Sequence, residues 1–352
     1  LFFLYQLGFA SAAVTISSGA VTGRIAPHPY VLFAMIFTGV IYPLVAFTVW
    51  HPEGLLYGRF TDFAGGVVVH GAGAAAGLAG AILIGPRIGY NGYDPLDLGP
   101  ERLFRIASSH APHNKPLAAL GVFLLWLGWF GFNGGTLLAG GAAPSATGEA
   151  ATLSLGALMD GFGLIAVNTA LAPCAAVMTT YLLQTFRQRD LDIFDLLNSV
   201  IAGLVAVTAG ADVLSPFGAM AAGAGGAIIY LAARALMIRA SVDDPVGAVA
   251  AHGFTGVFGA ACVAVTAGDQ WAMAAARQAG YGMAILGAVF FASLIAFKLA
   301  DVMAKIFALF LGEISLRTAF RKSVLRAPLE SEIQGLDEEI HGQDAYNFQT
   351  MR

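Results

Sequence analysis

Long apolar runs, each closed by a short polar break, recur along the whole chain. They cover about 1–22, 29–50, 64–85, 116–139, 152–184, 195–212, 217–238, 247–267 and 279–312. Runs of this kind approach the ~20 apolar residues that carry an α-helix across a bilayer, so the pattern predicts nine membrane helices. The run at 152–184 is long for one crossing, and Pro173 within it predicts a kink rather than a division. Faces such as "GAGAAAGLAG" (71–80) and "GAMAAGAGGA" (218–227) carry almost only small residues. Such faces let helix backbones approach closely where lipid offers no hydrophobic drive for association. The predicted class is an all-α, polytopic membrane protein.

Composition agrees and removes other classes. Of 352 residues, 57% are hydrophobic and 11% charged, whereas a soluble domain carries about 25% charged residues. A net charge of −4 offers no basic surface for nucleic acid. Cys174 and Cys262 stand in separate apolar runs and read as small buried hydrophobes rather than a disulfide or metal pair. No Cys/His cluster has zinc-like spacing, and neither a metal nor a cofactor is expected. The chain opens "LFFLYQLGFASAAV", without an initiator methionine and already inside an apolar run. With no basic n-region ahead of it, this reads as a truncated start rather than a signal peptide.

Lysine and arginine placement predicts orientation. One set of loops, with the tail, holds fourteen of these residues, and the opposite loops hold only Arg59 and Arg277. The richer side is expected in the cytosol. The first residue is then outside and the tail inside.

Two segments break the apolar pattern in the same way. "DFAGGVVVHG" (62–71) and "DPVGAVAAHG" (244–253) each place a His-Gly pair eight residues after an aspartate, and a further glycine follows seven past each histidine, Gly77 and Gly259. They open the third and eighth runs, five spans apart, so the copies run in opposite directions. This predicts inverted five-helix repeats, a transporter architecture with its site near the midplane. A five-helix unit shows only three helices in the first copy, so two N-terminal helices are expected to be missing, nine visible of eleven.

The acids and imidazoles need a physical reason, because a charge at bilayer depth costs about 2.5–3.5 kcal/mol on insertion scales. Asp62 and Asp244 can cap helix starts, accepting orphan N–H groups at the positive dipole end. For Asp62 a direct electrostatic role on a cation stands equally open. His70 and His252 lie about 12 Å further in along a helix. Contributed by opposite copies, they would converge on the pseudo-two-fold axis and share one proton between facing ring nitrogens, with the other nitrogens turned to a pore.

These residues carry a family resemblance. "DFAGGVVVHGAGAAAGLAG", "GWFGFNGG" (128–135), "LSPFGA" (214–219), "DDPVGAVAAHG" (243–253) and "EIQGLDEEIHGQDAY" (332–346) resemble blocks of the ammonium transporter (Amt/Mep/Rh) family, and the tail block favours the Amt branch. The resemblance spans nearly the whole chain. It implies the ammonium-transporter fold over 1–312 with a cytoplasmic tail over 313–352, in a multi-pass protein of the cell membrane that is not an enzyme. It implies recruitment of ammonium at an outer vestibule by Trp50, Thr136, Phe9 and Tyr5, and a stacked phenylalanine gate of Phe9 and Phe132. It also implies that His70 and His252 are the family's twin pore histidines. The chain departs from the usual pattern in Thr136 for serine, Gly247 for aspartate, and the lack of a phenylalanine near Val249.

The implied partners are ammonium or ammonia, with methylammonium as an analogue, the lipid bilayer, further copies in a homotrimer, and a cytosolic PII signalling protein. Ammonium resembles a lysine head group, which titrates near ~10.4, and desolvation lowers such a pKa by about 3–5 units. A dry aromatic entrance therefore favours deprotonation, with ammonia passing the histidines and its proton left outside or relayed. An ammonium sensor and an Rh-type neutral gas channel are the alternatives. A metal enzyme using both histidines lacks a third ligand.

Overall fold

The computed structural model describes residues 2–112, 114–142, 155–188, 190–312 and 323–343. Of the basic tail stretch, residues 317–322 lie outside the described residues, as do residues 344–346 of the last motif block.

The described chain is helical almost throughout. Helix α1 is Phe2–Val21. Helix α2 (Pro27–Ile36) runs through a π turn, Phe37–Ile41, into α3 (Tyr42–Trp50). A second π turn, Gly66–Gly71, opens α4 (Ala72–Ile84). Helices α6 (Lys115–Ala142), α7 (Leu155–Phe186), α8 (Ile193–Thr208) and α9 (Pro216–Arg239) follow α5 (Pro100–Ser109). A third π turn, Ala250–Phe254, opens α10 (Thr255–Cys262). Past a 3-10 segment, Val263–Gln270, the chain turns at Gly268 into α11 (Trp271–Phe310). Two short tail helices, α12 (Leu329–Gln334) and α13 (Leu336–His341), end the described chain. Among the described residues the isolated bridge Ile25–Arg326 is the strand-like pairing.

Among the described residues seven helical segments are long and apolar enough to cross a membrane; one of them, Ala250–Phe310, joins two of the predicted runs. Helix α8 is apolar but shorter. Helix α7 continues through Pro173. Helix α5 escapes an apolar-run reading because Glu101, Arg102 and Arg105 interrupt it, and Phe104 stays exposed while Ile106 is buried. One expectation is corrected: Cys174 is exposed on α7 and Cys262 half-buried, so only the second shelters inside. In a membrane helix an exposed thiol meets lipid, where a small apolar group carries little penalty.

Small residues set the helix crossings. The half-helices that carry the two histidines run antiparallel: a Cβ on Gly253 would meet Ala74 at 3.2 Å, while one on Gly256 would strike the carbonyl of Gly66. Gly73 lies against the Ala13 carbonyl of α1, and Gly259 against the Ala206 carbonyl of α8. Helix α4 therefore packs on α1 as α10 packs on α8, the relation that an internal repeat requires.

On the tail side the described tail segment pairs with the α1–α2 loop. The N–H of Ala26 donates to Leu325 O at 2.8 Å, and that of Ala327 to Arg24 O at 3.0 Å. Arg24 is fully buried and donates to three carbonyls, of Gly85, Thr22 and Asp243. Burial draws its guanidinium down to about 10, against the pull of Asp243. Burial also acts to raise Asp243, but Arg87, which donates to its carboxylate twice from the guanidinium and once from its backbone N–H, and Arg24 outweigh that and hold it below the usual range. Arg326 and Glu332 pair at 2.6 Å, and the Ile88 N–H donates to Glu332, so the tail is bonded to the loop that ends α4.

Candidate functional site

Each repeated motif builds the start of its half-helix in the same way. Asp62 Oδ2 accepts the N–H groups of Val67 and Val68 at 2.9 and 2.8 Å. Asp244 accepts those of Ala248, Val249 and Ala250 at 2.9, 2.9 and 3.2 Å. Both aspartates therefore cap, which satisfies donors that lipid cannot. Asp62 differs in that its second oxygen, Oδ1, is buried without a hydrogen-bond partner.

Three residues after each aspartate stands a glycine with positive φ, Gly65 at 95° and Gly247 at 75°. An L side chain is strained there. Gly247, where the family resemblance leads one to expect an aspartate, thus repeats the turn of the first copy. Beyond both turns the backbone makes π turns that contain the histidines. A π turn inserts one extra residue and re-aims the side chains that follow, a device frequent at functional sites.

The result is one file of rings. Tyr5 lies 4.4 Å from Phe9, Phe9 lies 4.3 Å from Phe132 and 5.8 Å from Trp50, and Phe132 lies 5.2 Å from His70, all between centroids. The indole N–H of Trp50 donates to the Asp62 carbonyl at 2.7 Å, which ties the end of α3 to the first motif. His70 and His252 follow, with rings 20° from parallel, centroids 5.2 Å apart and Nδ1 atoms 3.2 Å apart. One Nδ1 must donate and the other accept, so the pair holds a single proton on its shared edge. His70 Nε2 is buried with no partner, a free ring nitrogen.

Eight of the nine candidate site residues gather here, seven along this file and its first cap with Thr136 joined to Tyr5; Asp244 stands apart, capping the opposite half-helix. Sequence reasoning missed Trp129. Its ring stacks on His70 at 4.8 Å and 10°, and its Nε1–H donates to Thr208 Oγ1 at 2.9 Å. It stands three residues before Phe132, one helical turn away in "GWFGFNGG", and that spacing was the available signal. Val249 lines an apolar cavity of about 250 Å³ with Leu78, Phe254 and Leu286, where a phenylalanine would have supplied bulk. Among the described residues no group of three or more His, Cys, Asp or Glu could hold a metal ion.

The family model described as "Ammonium Transporter Family" matches residues 1–346. Ammonium transporter 1 member 2 of rice, Oryza sativa subsp. japonica, is 32% identical over 99% of this chain and 69% of its own length. The solved "Sensor Amt Protein" is 30% identical with a TM-score of 0.70, covering 97% of this chain and 76% of that one. The Rh50 protein of Nitrosomonas europaea is 25% identical with a TM-score of 0.62, covering 85% and 70%.

Proposed function

Because the chain belongs to the ammonium transporter family, we propose that it recruits ammonium at a vestibule lined by Trp50, Phe9, Tyr5 and Thr136, and that at the Phe9–Phe132 gate the ion gives up its proton, either to water of the outer vestibule or to a relay through His70 and His252. Ammonia then passes His70 and His252. The single observation that carries this reading is the unbroken run of rings ending in an imidazole pair 3.2 Å apart at Nδ1.

The steps follow from the chemistry of each position. An aromatic face binds a cation with about 0.5–2 kcal/mol, which suits Trp50 and Phe9 to an ion that has not yet lost its shell. Asp62, with one unpartnered carboxylate oxygen just behind Trp50, adds a fixed negative charge that favours the cation there. Past the gate the path is walled by buried aromatic and apolar side chains that solvate a charge poorly, so neutral ammonia is favoured. The free His70 Nε2 and its partner give ammonia, or a relayed proton, a hydrogen-bond route through apolar walls. Sodium and potassium have no proton to shed and stop at the gate.

The working form in this proposal is a homotrimer in the cell membrane, with residues 313–352 in the cytosol, where a PII-type protein can reach the exit. The likeness to the Sensor Amt Protein favours a second reading, in which the pore binds ammonium and the tail reports it. Solid-supported-membrane electrophysiology on proteoliposomes separates these. Ammonium and methylammonium pulses should give currents that sodium and potassium pulses do not. Binding without flux would favour the sensor, and flux without current an Rh-type gas channel.

A further inference from the structure

The Tyr5 hydroxyl does not face the vestibule unengaged. It donates to the backbone carbonyl of Phe132 at 2.6 Å and also hydrogen-bonds the Thr136 hydroxyl. Thr136 Oγ1 lies 3.1 Å from the same Phe132 carbonyl. Three oxygens and two hydroxyl protons thus form a closed cluster that joins α1 to α6. Its carbonyl belongs to one gate residue, and its tyrosine stands one helical turn before the other, Phe9, with ring centroids 4.4 Å apart. The Tyr5 ring itself lies over Gly135, where a Cβ would meet its Cε2 at 2.8 Å, so no larger residue fits under it without displacing the ring.

We infer that Tyr5 is a positioning residue, a clasp whose hydroxyl fixes the spacing of the Phe9 and Phe132 rings and thereby sets which cations the entrance passes. Apart from this cluster and the Phe9–Phe132 rings, helices α1 and α6 touch little, and both present exposed apolar residues such as Leu4, Leu7, Leu124 and Leu127. In lipid no hydrophobic force holds two such helices together, and cross-helix hydrogen bonds and close packing take that role. A gate made of one ring from each helix is only as narrow as the bond between those helices is firm.

The inference rests on the proposed transport function, and its test separates the two. Wild-type protein, Tyr5→Phe and Thr136→Val are reconstituted at equal density, and currents are measured across a range of ammonium and methylammonium concentrations. Tyr5→Phe keeps the ring and removes the clasp. Tyr5→Phe loses both cross-helix hydrogen bonds; one neutral hydrogen bond corresponds to about a five-fold change in the balance between narrow and splayed gate, so the methylammonium-to-ammonium ratio of maximal currents should rise by about five-fold or more. Thr136→Val, which keeps the bond from Tyr5 to the carbonyl, should give a smaller rise in the same direction. A change confined to packing would lower the amount of folded protein and scale both currents alike, leaving that ratio at the wild-type value. An unchanged ratio in both variants overturns the clasp, whereas an absence of ammonium current in the wild type overturns the transport reading itself.

Discussion

The two roles open to Asp62, capping and holding a cation, can be pulled apart by what replaces it. In Asp62→Ala the N–H groups of Val67 and Val68 lose their acceptor inside a segment that is wholly buried. Each orphan donor costs about 1–3 kcal/mol, so about 2–6 kcal/mol is lost, a large part of a typical folding free energy of about 5–15 kcal/mol. In Asp62→Asn an acceptor oxygen remains for both donors. The two bonds drop from charge-assisted to neutral, roughly 1 kcal/mol each and about 2 kcal/mol together. Asp244→Asn is the control. It weakens three equivalent bonds on the other half-helix, for about 3 kcal/mol by the same reckoning, without changing the charge behind Trp50. The assay is thermal unfolding in detergent beside ammonium current per unit of folded protein. The expected order of melting temperatures is wild type, Asp62→Asn, Asp62→Ala. Asp62→Asn should lose far more current than Asp244→Asn, although it is the less destabilised. Equal melting temperatures for Asp62→Ala and wild type would refute capping; equal currents for Asp62→Asn and wild type would refute the electrostatic role.

Further expectations concern the turns and the tail side. Gly65→Ala and Gly247→Ala both force an L side chain to positive φ, for about 1–2 kcal/mol each. Gly65→Ala should be the worse, because its Cβ meets the buried Val69 at 2.5 Å, whereas at Gly247 the first contact is the Asn198 amide at 2.9 Å, a side-chain end that can swing away; differential scanning fluorimetry ranks them. Removing the partner of buried Asp243 in Arg87→Met should cost about 3–5 kcal/mol. Asp243 titrates below its unfolded value, so its contribution is present above the ordinary carboxylate range and is lost as pH falls through the lower folded value. In wild-type protein that loss should begin as pH enters the ordinary carboxylate range and be complete only below it, and in Arg87→Met the pH dependence should move upward; melting curves recorded down the acid range check both.

The transmembrane runs were legible because a bilayer imposes length and apolarity on every crossing, and runs such as 29–50 and 217–238 carry no competing signal. The repeated motif was legible for a related reason: Asp62, His70, Asp244 and His252 are costly in apolar segments, so their matched spacing stood out. The π turns at Gly66–Gly71 and Ala250–Phe254 were not legible. They depend on one extra residue per turn, which leaves no trace in composition or spacing. Helix α5 stayed hidden because its single buried isoleucine, Ile106, makes no run. The bond between Tyr5 and Phe132 joins positions 127 apart, on which local sequence carries no information. The helical spacing of Trp129 from Phe132 hinted at a shared face, but its stacking on His70 joins two different helices and could not be read locally. Gly247 taught the opposite lesson: read against the family resemblance it was a lost acid, and in the structure it restores the turn that Gly65 makes in the first copy.

The central claim is that substrate crosses past the two imidazoles, and the most direct measurement is the ammonium-evoked current of His70→Ala against wild type at matched density of folded protein. The account predicts that the current vanishes or loses its discrimination against potassium, because the free Nε2 and the shared Nδ1 proton go together. A His70→Ala protein that carries wild-type ammonium current and still refuses potassium would contradict it.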